Sequence, residues 1–231
     1  MWCKPFNQPS NGKIMSNNTS KVAVIGTGNI GKNLAANLVK GNRPVIIASR
    51  KTEDAEALAN NLGFLATATT VKSAIKEADI IIMAVWFDTI KELFKTYSSE
   101  LQGKIIIDPS NPIAPDGDGG FKKIIGENES SGEILAGLLP KGATFAKAFG
   151  TLGAGSLESE AHRTSEKAVL FYATDDTGIN GKIEELIRDS GFDAYRVGGI
   201  DQSIRIEVFG DLHEFGALGK AITSNEVAGK I

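Results

Sequence analysis

Gly26-Thr27-Gly28-Asn29-Ile30-Gly31 places three glycines at the spacing G-x-G-x-x-G, directly after the apolar run Val22 to Ile25. A run that short and that rich in β-branched residues reads as a buried parallel strand. Residues 32–39 then repeat apolar positions with helical period. In such a strand, turn and helix, Gly26 permits the tight turn, Gly28 lets the backbone approach a pyrophosphate with no Cβ in the way, and Gly31 lets the helix pack on the strand. The helix start offers unpaired N–H groups and the positive end of a dipole to phosphate. A glycine-rich turn alone is common, but the strand before it and the helix behind it make nucleotide binding the stronger reading. About 20 residues further on, where an acidic residue holds the ribose 2′-OH of NAD, the chain has Ser49-Arg50-Lys51. A hydroxyl and two cations suit a 2′-phosphate, so the expected cofactor is NADP(H) and not NAD(H). Two solvated charges at a strand end are the plain alternative.

Other candidates follow from where ligands lie in open α/β sheets, at the carboxyl ends of strands. Ala84, Val85 and Trp86 end the apolar run 79–85 and are candidates for cofactor contact; Trp86 reads equally well as a helix-packing aromatic. Pro109-Ser110-Asn111-Pro112 is a polar turn held rigid by two prolines, which suits the nicotinamide end of a cofactor and also suits simple turn formation. Gly150-Thr151-Leu152-Gly153-Ala154-Gly155 is a second glycine-rich run, read as having no regular helix behind it. Its expected use is close backbone approach to a flat ligand over the nicotinamide, with a flexible loop as the equal alternative. His213 is read first as a structural hydrogen-bonding residue and second as a proton donor.

The elements that must position these residues alternate along the chain. Strands are expected over 22–25, 44–48, 64–68, 79–85, 104–108, 144–149, 168–173 and 193–197. Helices are expected after the first turn, over 52–62, 71–78, from after Thr89 to about Tyr97, over 132–139 and 180–189, and along 204–222 with interruptions at Gly210, Gly216 and Gly219. Residues 113–131 are too long for a routine connection and read as a lid, a disordered insertion or a loop with a short helix. The expectation is an α/β fold of Rossmann type: a doubly wound, mainly parallel sheet with helices on both faces and a small C-terminal α/β extension from about residue 160. Residues 1–20 read as a disordered polar leader before a single domain over 21–231.

Net charge of −3 gives no reason to expect nucleic acid or an anionic membrane as partner. Cys3 is the only cysteine, which excludes an internal disulfide and Cys-based metal sites and suits a reducing cytoplasm. No metal ligand set is read elsewhere.

On the Gly26 to Gly31 turn, Ser49-Arg50, Ala84-Val85-Trp86, Asn111-Pro112 and Lys147-Ala148-Phe149-Gly150-Thr151, residues 21–200 resemble the NADPH-dependent reductases of the deazaflavin coenzyme F420. The resemblance implies that Thr27, Gly28, Asn29 and Ile30 hold the pyrophosphate and that Ser49 and Arg50 hold the 2′-phosphate. It implies further that Ala84, Val85, Trp86 and Ala148 line the nicotinamide side, and that the deazaflavin stacks near Asn111, Pro112, Phe149, Gly150 and Thr151. Glu53 and Asp54 stand where the family often has a further cation, so the phosphate contact rests on Arg50 and Lys51. The cytosolic part of the six-transmembrane ferric reductases has similar domains that pass hydride to flavin, so a flavin is the other ring acceptor implied.

Hydride transfer between parallel rings needs no protein nucleophile and no metal, in keeping with the motifs present. Two other functions fit the sequence: reduction of a small ketone or imine with Asp211 or His213 as proton donor, and an NADPH-binding sensor without turnover. A homodimer is expected from the apolar face of the last helix.

Overall fold

The computed structural model describes residues 19–231. The leader expected over residues 1–20, with Cys3 and Met15, lies outside them except for its last two residues.

Strands β1 (Val22–Ile25), β2 (Val45–Ala48), β3 (Ala66–Thr69), β4 (Ile80–Met83) and β5 (Ile105–Asp108) are parallel neighbours in the order β5-β4-β1-β2-β3. Every residue of β1, β4 and β5 is buried. Strands apolar on both faces require a layer of helix on each side. One layer contains α1 (Asn29–Lys40) and α2 (Thr52–Leu62), which bury Leu34, Leu38, Ala55 and Ala59 against Val22, Val24 and Ile47. The other contains α3 (Val71–Glu77) and α4 (Phe87–Thr96), which bury Ile75, Ile90 and Phe94 against Ala23, Ile81 and Ile106. The register levels Ile25 with Ala48 and Met83, so three strand ends meet at one edge. Strand order reverses there between β1 and β4, the position at which open α/β sheets take their ligands.

Past β5 the chain departs from the expectations in three places. Residues 113–131 form no lid-length loop: β6 (Ile113–Pro115) and β7 (Phe121–Lys123) pair antiparallel as a small separate sheet. Asp116 Oδ1 accepts from the N–H groups of Asp118 and Gly120, and Gly117 and Gly119 take positive φ, so the Pro-Asp-Gly sequence is the turn of a hairpin. Then α5 (Ser131–Gly137) begins on a Ser130 cap and leads to β8 (Thr144–Ala148), parallel to β5.

A helix does follow the second glycine run, α6 (Ala154–Ser159). Its Gly155 and Ser156 hide it from a propensity reading. What fixes it is α1, whose Asn33 and Asn37 side chains donate to the carbonyls of Ala154 and Leu157 at 2.7 and 2.8 Å. Next, β9 (Val169–Ala173), α7 (Asn180–Asp189) and β10 (Asp193–Gly198) form a parallel unit that joins the same sheet, but β9 runs antiparallel to β8.

The long helix expected over 204–222 is not formed. Only α8 (Ser203–Ile206) is helical, followed by turns and by α9 (Ser224–Val227). Gly210 and Gly216 end the pattern because each lies against backbone: a Cβ on Gly216 would stand 1.8 Å from the Gly210 carbonyl oxygen. Of the apolar face that suggested a homodimer, Val208 and Leu212 are buried within this chain, Ile204 is half-buried and Phe215 is 62% exposed. Among the described residues no helix is long and apolar enough to cross a membrane.

Candidate cofactor crevice

Gly26 and Gly31 of the first turn pack as their spacing predicts. Gly26 has φ 112°, and a Cβ on it would stand 2.1 Å from the carbonyl oxygen of Ala84, so this turn is pressed against the end of β4. Gly26 N–H also donates to the Ala48 carbonyl at 2.8 Å, tying the turn to the end of β2. On Gly31 a Cβ would stand 2.0 Å from the Gly26 carbonyl oxygen, which sets how closely α1 approaches β1. Gly28 differs: it is the N-cap of α1, it is exposed, and nothing lies within 4 Å of the Cβ position. Open space before a helix start with unpaired N–H groups fits a pyrophosphate. Thr27, Asn29 and Ile30 are partly or fully exposed around it.

At the end of β2 the Ser49 side chain is buried and its hydroxyl donates to the Lys51 carbonyl, bracing the entry to α2. Arg50 and Lys51 are exposed beside it. Ser49 thus shapes the loop, and the two cations are the groups free to meet a 2′-phosphate. At the end of β4, Ala84 and Val85 flank the glycine turn, and Trp86 caps α4 with 59% of its surface exposed. Trp86 is therefore not a core residue.

The farther wall is two abutting turns. A Cβ on Gly150 would stand 2.8 Å from the Pro109 carbonyl oxygen, and Asn111 Nδ2 donates to the Gly150 carbonyl at 3.1 Å. Asn111 Oδ1 accepts from Val208 N–H at 2.7 Å, so this amide clamps three segments and keeps one N–H and one lone pair. Pro112 is buried. Ala148 and Phe149 also require correction as contacts: both side chains lie in the core with α1 and α7. Ala148 points there by strand alternation with Ala146, and Phe149, at φ 66°, turns inward from the strand end. Residues 148–152 of this turn are all buried. Thr151 is buried as well, its carbonyl accepting from Glu214 N–H at 3.1 Å.

Lys147 sits behind both turns, a cation that its place in an apolar strand marks and that sequence reading left unused. Its Nζ donates to Asp108 Oδ2 at 2.6 Å, to the Ser110 carbonyl at 2.5 Å and to Ser131 Oγ at 2.9 Å, with both charges essentially inaccessible. The pair joins the ends of β5 and β8 to the start of α5. His213 is buried too. Its Nδ1 accepts from Phe215 N–H at 2.9 Å, and burial lowers its pKa to about 4 against the pull of Glu214 and the Gly150 backbone, with the Lys147 charge adding to the fall. A neutral imidazole held this way supports the turn. Asp211, the other proton donor considered, pairs with Arg205 at 2.8 Å. Among the described residues no group of three or more His, Cys, Asp or Glu could hold a metal.

Comparison with known proteins agrees with this geometry. The family model "NADP oxidoreductase coenzyme F420-dependent" matches residues 21–112. Metalloreductase STEAP3 of Rattus norvegicus is 27% identical over 187 residues, which cover 81% of this chain and 36% of that protein. The F420-dependent NADP reductase of Methanocaldococcus jannaschii is 33% identical over 104 residues, covering 41% of this chain and 46% of the relative. The chain therefore spans less than half the length of either relative. Among solved structures, the hypothetical protein SMa0349 of Sinorhizobium meliloti superposes with a TM-score of 0.76 at 27% identity, over 89% of this chain and 96% of that one. The chain is thus related to the NADP-dependent oxidoreductases, and residues 21–112 are the part that resembles the F420-dependent NADP reductases.

Proposed function

We propose that this chain is an NADPH-dependent reductase that moves a hydride between NADP(H) and a planar ring acceptor, a deazaflavin such as coenzyme F420 or a flavin. The observation that carries the cofactor half is the open space before Gly28 with exposed Arg50 and Lys51 at the next strand end. A pyrophosphate set on the start of α1 directs its adenosine ribose toward β2, where two cations favour a 2′-phosphate. The related reductases named above support the same cofactor.

The acceptor half rests on the character of the farther wall. Its charged and amide groups are tied to one another, Asn111 to Gly150 and Val208 and Lys147 to Asp108 and Ser110, while the buried hydroxyls of Ser110 and Thr151 have no partner among the described residues. The large side chain exposed at the crevice is the aromatic Trp86. Such a wall orients flat rings and excludes water, while a carbonyl or imine reductase needs a positioned proton donor. NADPH supplies the hydride from its nicotinamide ring, and the protein's task is alignment.

Paired titrations with NADPH and NADH, followed by a deazaflavin or FMN, test both halves. Selective NADPH binding and acceptor-dependent loss of nicotinamide absorbance are expected. Equal affinity for the two nucleotides contradicts the first half; NADPH oxidised only by a small ketone or imine contradicts the second.

A further inference from the structure

A cavity of about 480 Å³ opens between the end of the β6–β7 hairpin and the chain after α8. That volume lies within the roughly 300–1,000 Å³ range of small-molecule sites. It adjoins the crevice through a short connection: Val208 on its wall bonds Asn111, which bonds Gly150. Ile125, Ile204 and Val208 supply its apolar surface, and Lys123, Glu127 and Glu207 its charged groups. Glu207 also borders it, but its carboxylate is already met by Ser130 Oγ at 2.8 Å and by the N–H groups of Ser131 and Gly132 at 3.0 and 2.8 Å. Lys123 donates to the carbonyls of Glu127 and Glu129 at 2.8 and 2.7 Å, which leaves one of its three ammonium protons for another partner.

Phe209 stands at the same cavity with φ 69°, and 52% of it is exposed. A side chain in the left-handed region is strained, and a half-exposed ring recovers little by burial. The turn nevertheless holds it there. A Cβ on Gly210 would stand 2.4 Å from the Arg205 carbonyl oxygen, and Leu212 N–H donates to that carbonyl at 2.8 Å. Strain retained by a rigid frame beside a cavity is a mark of ligand clamps.

We propose that Phe209 is the stacking residue of an acceptor subsite, which takes a planar aromatic ring on Phe209 and directs an anionic tail of that ligand to Lys123. The inference rests on the reading of the chain as a reductase of ring acceptors, and adds which residues choose the acceptor and what its tail must carry. Phosphorylated flavin meets both requirements; riboflavin meets only the first.

The test is quenching of flavin fluorescence on protein loaded with NADP⁺, titrated with FMN and with riboflavin, alongside NADPH oxidation by each acceptor. Phe209→Gly is expected to weaken both flavins by about tenfold to a hundredfold, as the loss of one stacking partner does elsewhere, and Phe209→Trp to restore them. Glycine accepts φ 69° without strain, so Phe209→Gly is expected to keep its melting temperature and its NADPH affinity. Lys123→Gln is expected to weaken FMN severalfold and leave riboflavin unchanged. Unchanged flavin affinity in Phe209→Gly overturns the inference and leaves the reductase reading standing, provided the wild type oxidises NADPH with a ring acceptor. A wild type that binds neither flavin nor a deazaflavin, and oxidises NADPH with none of them, overturns both.

Discussion

Gly28 and Gly31 lack a side chain for opposite reasons, and substitution separates them. On Gly31 an added methyl meets the Gly26 backbone at 2.0 Å, so Gly31→Ala is expected to lower the melting temperature. Gly28 has φ −70° and open space, so Gly28→Ala is expected to melt like the wild type while NADPH affinity falls at least tenfold. Equal melting losses in both would show that the open face at Gly28 is not a ligand site. At Arg50, Arg50→Ala removes a charge-assisted contact worth about 2 kcal/mol, so NADPH titration is expected to show roughly a thirtyfold loss and NADH almost none. His213 carries a pH effect. Its folded pKa of about 4 lies below the ordinary 6.5, so in between the unfolded chain binds the proton and the folded one does not. Stability from this group is therefore present above pH 6.5 and lost as pH falls toward 4, by an amount of order 3 kcal/mol. Denaturant curves across that window are expected to slope less in His213→Gln than in the wild type. The tight packing of Gly26 and Gly31 was legible because backbone chemistry at a fixed spacing leaves few alternatives. Ala148 and Phe149 were misread as contacts because nothing local shows that a ring turns inward at φ 66°.

At the scale of elements, the far wall depends on one buried ion pair. Lys147 and Asp108 tie β8 to β5 and hold the Ser110 turn. Lys147→Met leaves a buried carboxylate without its cation, and urea unfolding is expected to show a loss of about 3–5 kcal/mol. Lys147→Met combined with Asp108→Asn is expected to recover much of it; a single-variant loss under about 1 kcal/mol would mean that the pair does not hold the wall. Elements with strong period and composition were read correctly, β1, β4, β5 and α7 above all. Those held by long-range bonds were not: α6 depends on Asn33 and Asn37, 121 and 120 residues before the carbonyls they bond, and no local pattern contains that distance. The last segment failed for the reverse reason. Ile204, Val208, Leu212 and Phe215 keep helical spacing, yet Gly210 and Gly216 let the backbone fold on itself instead.

At the scale of the whole molecule, the sheet order β10-β9-β8-β5-β4-β1-β2-β3 brings the ends of β1, β2, β4, β5 and β8 to one edge. Cofactor cations, glycine turn, Trp86 and the two abutting turns share that edge because parallel strands with crossover helices leave their loops there. The inverted β9 and β10 extend the sheet, and the chain after α8 returns to the edge to bond Asn111. The central claim is that two ligands meet across this crevice and exchange a hydride directly. NADPH deuterated at the transferring position of the nicotinamide C4, incubated with the protein and a deazaflavin, tests it most directly, because the carbon that accepts the hydride keeps the label. A reduced deazaflavin heavier by one deuterium, formed only with protein present, is the predicted result; a reduced deazaflavin without the label, or none formed, would contradict the account.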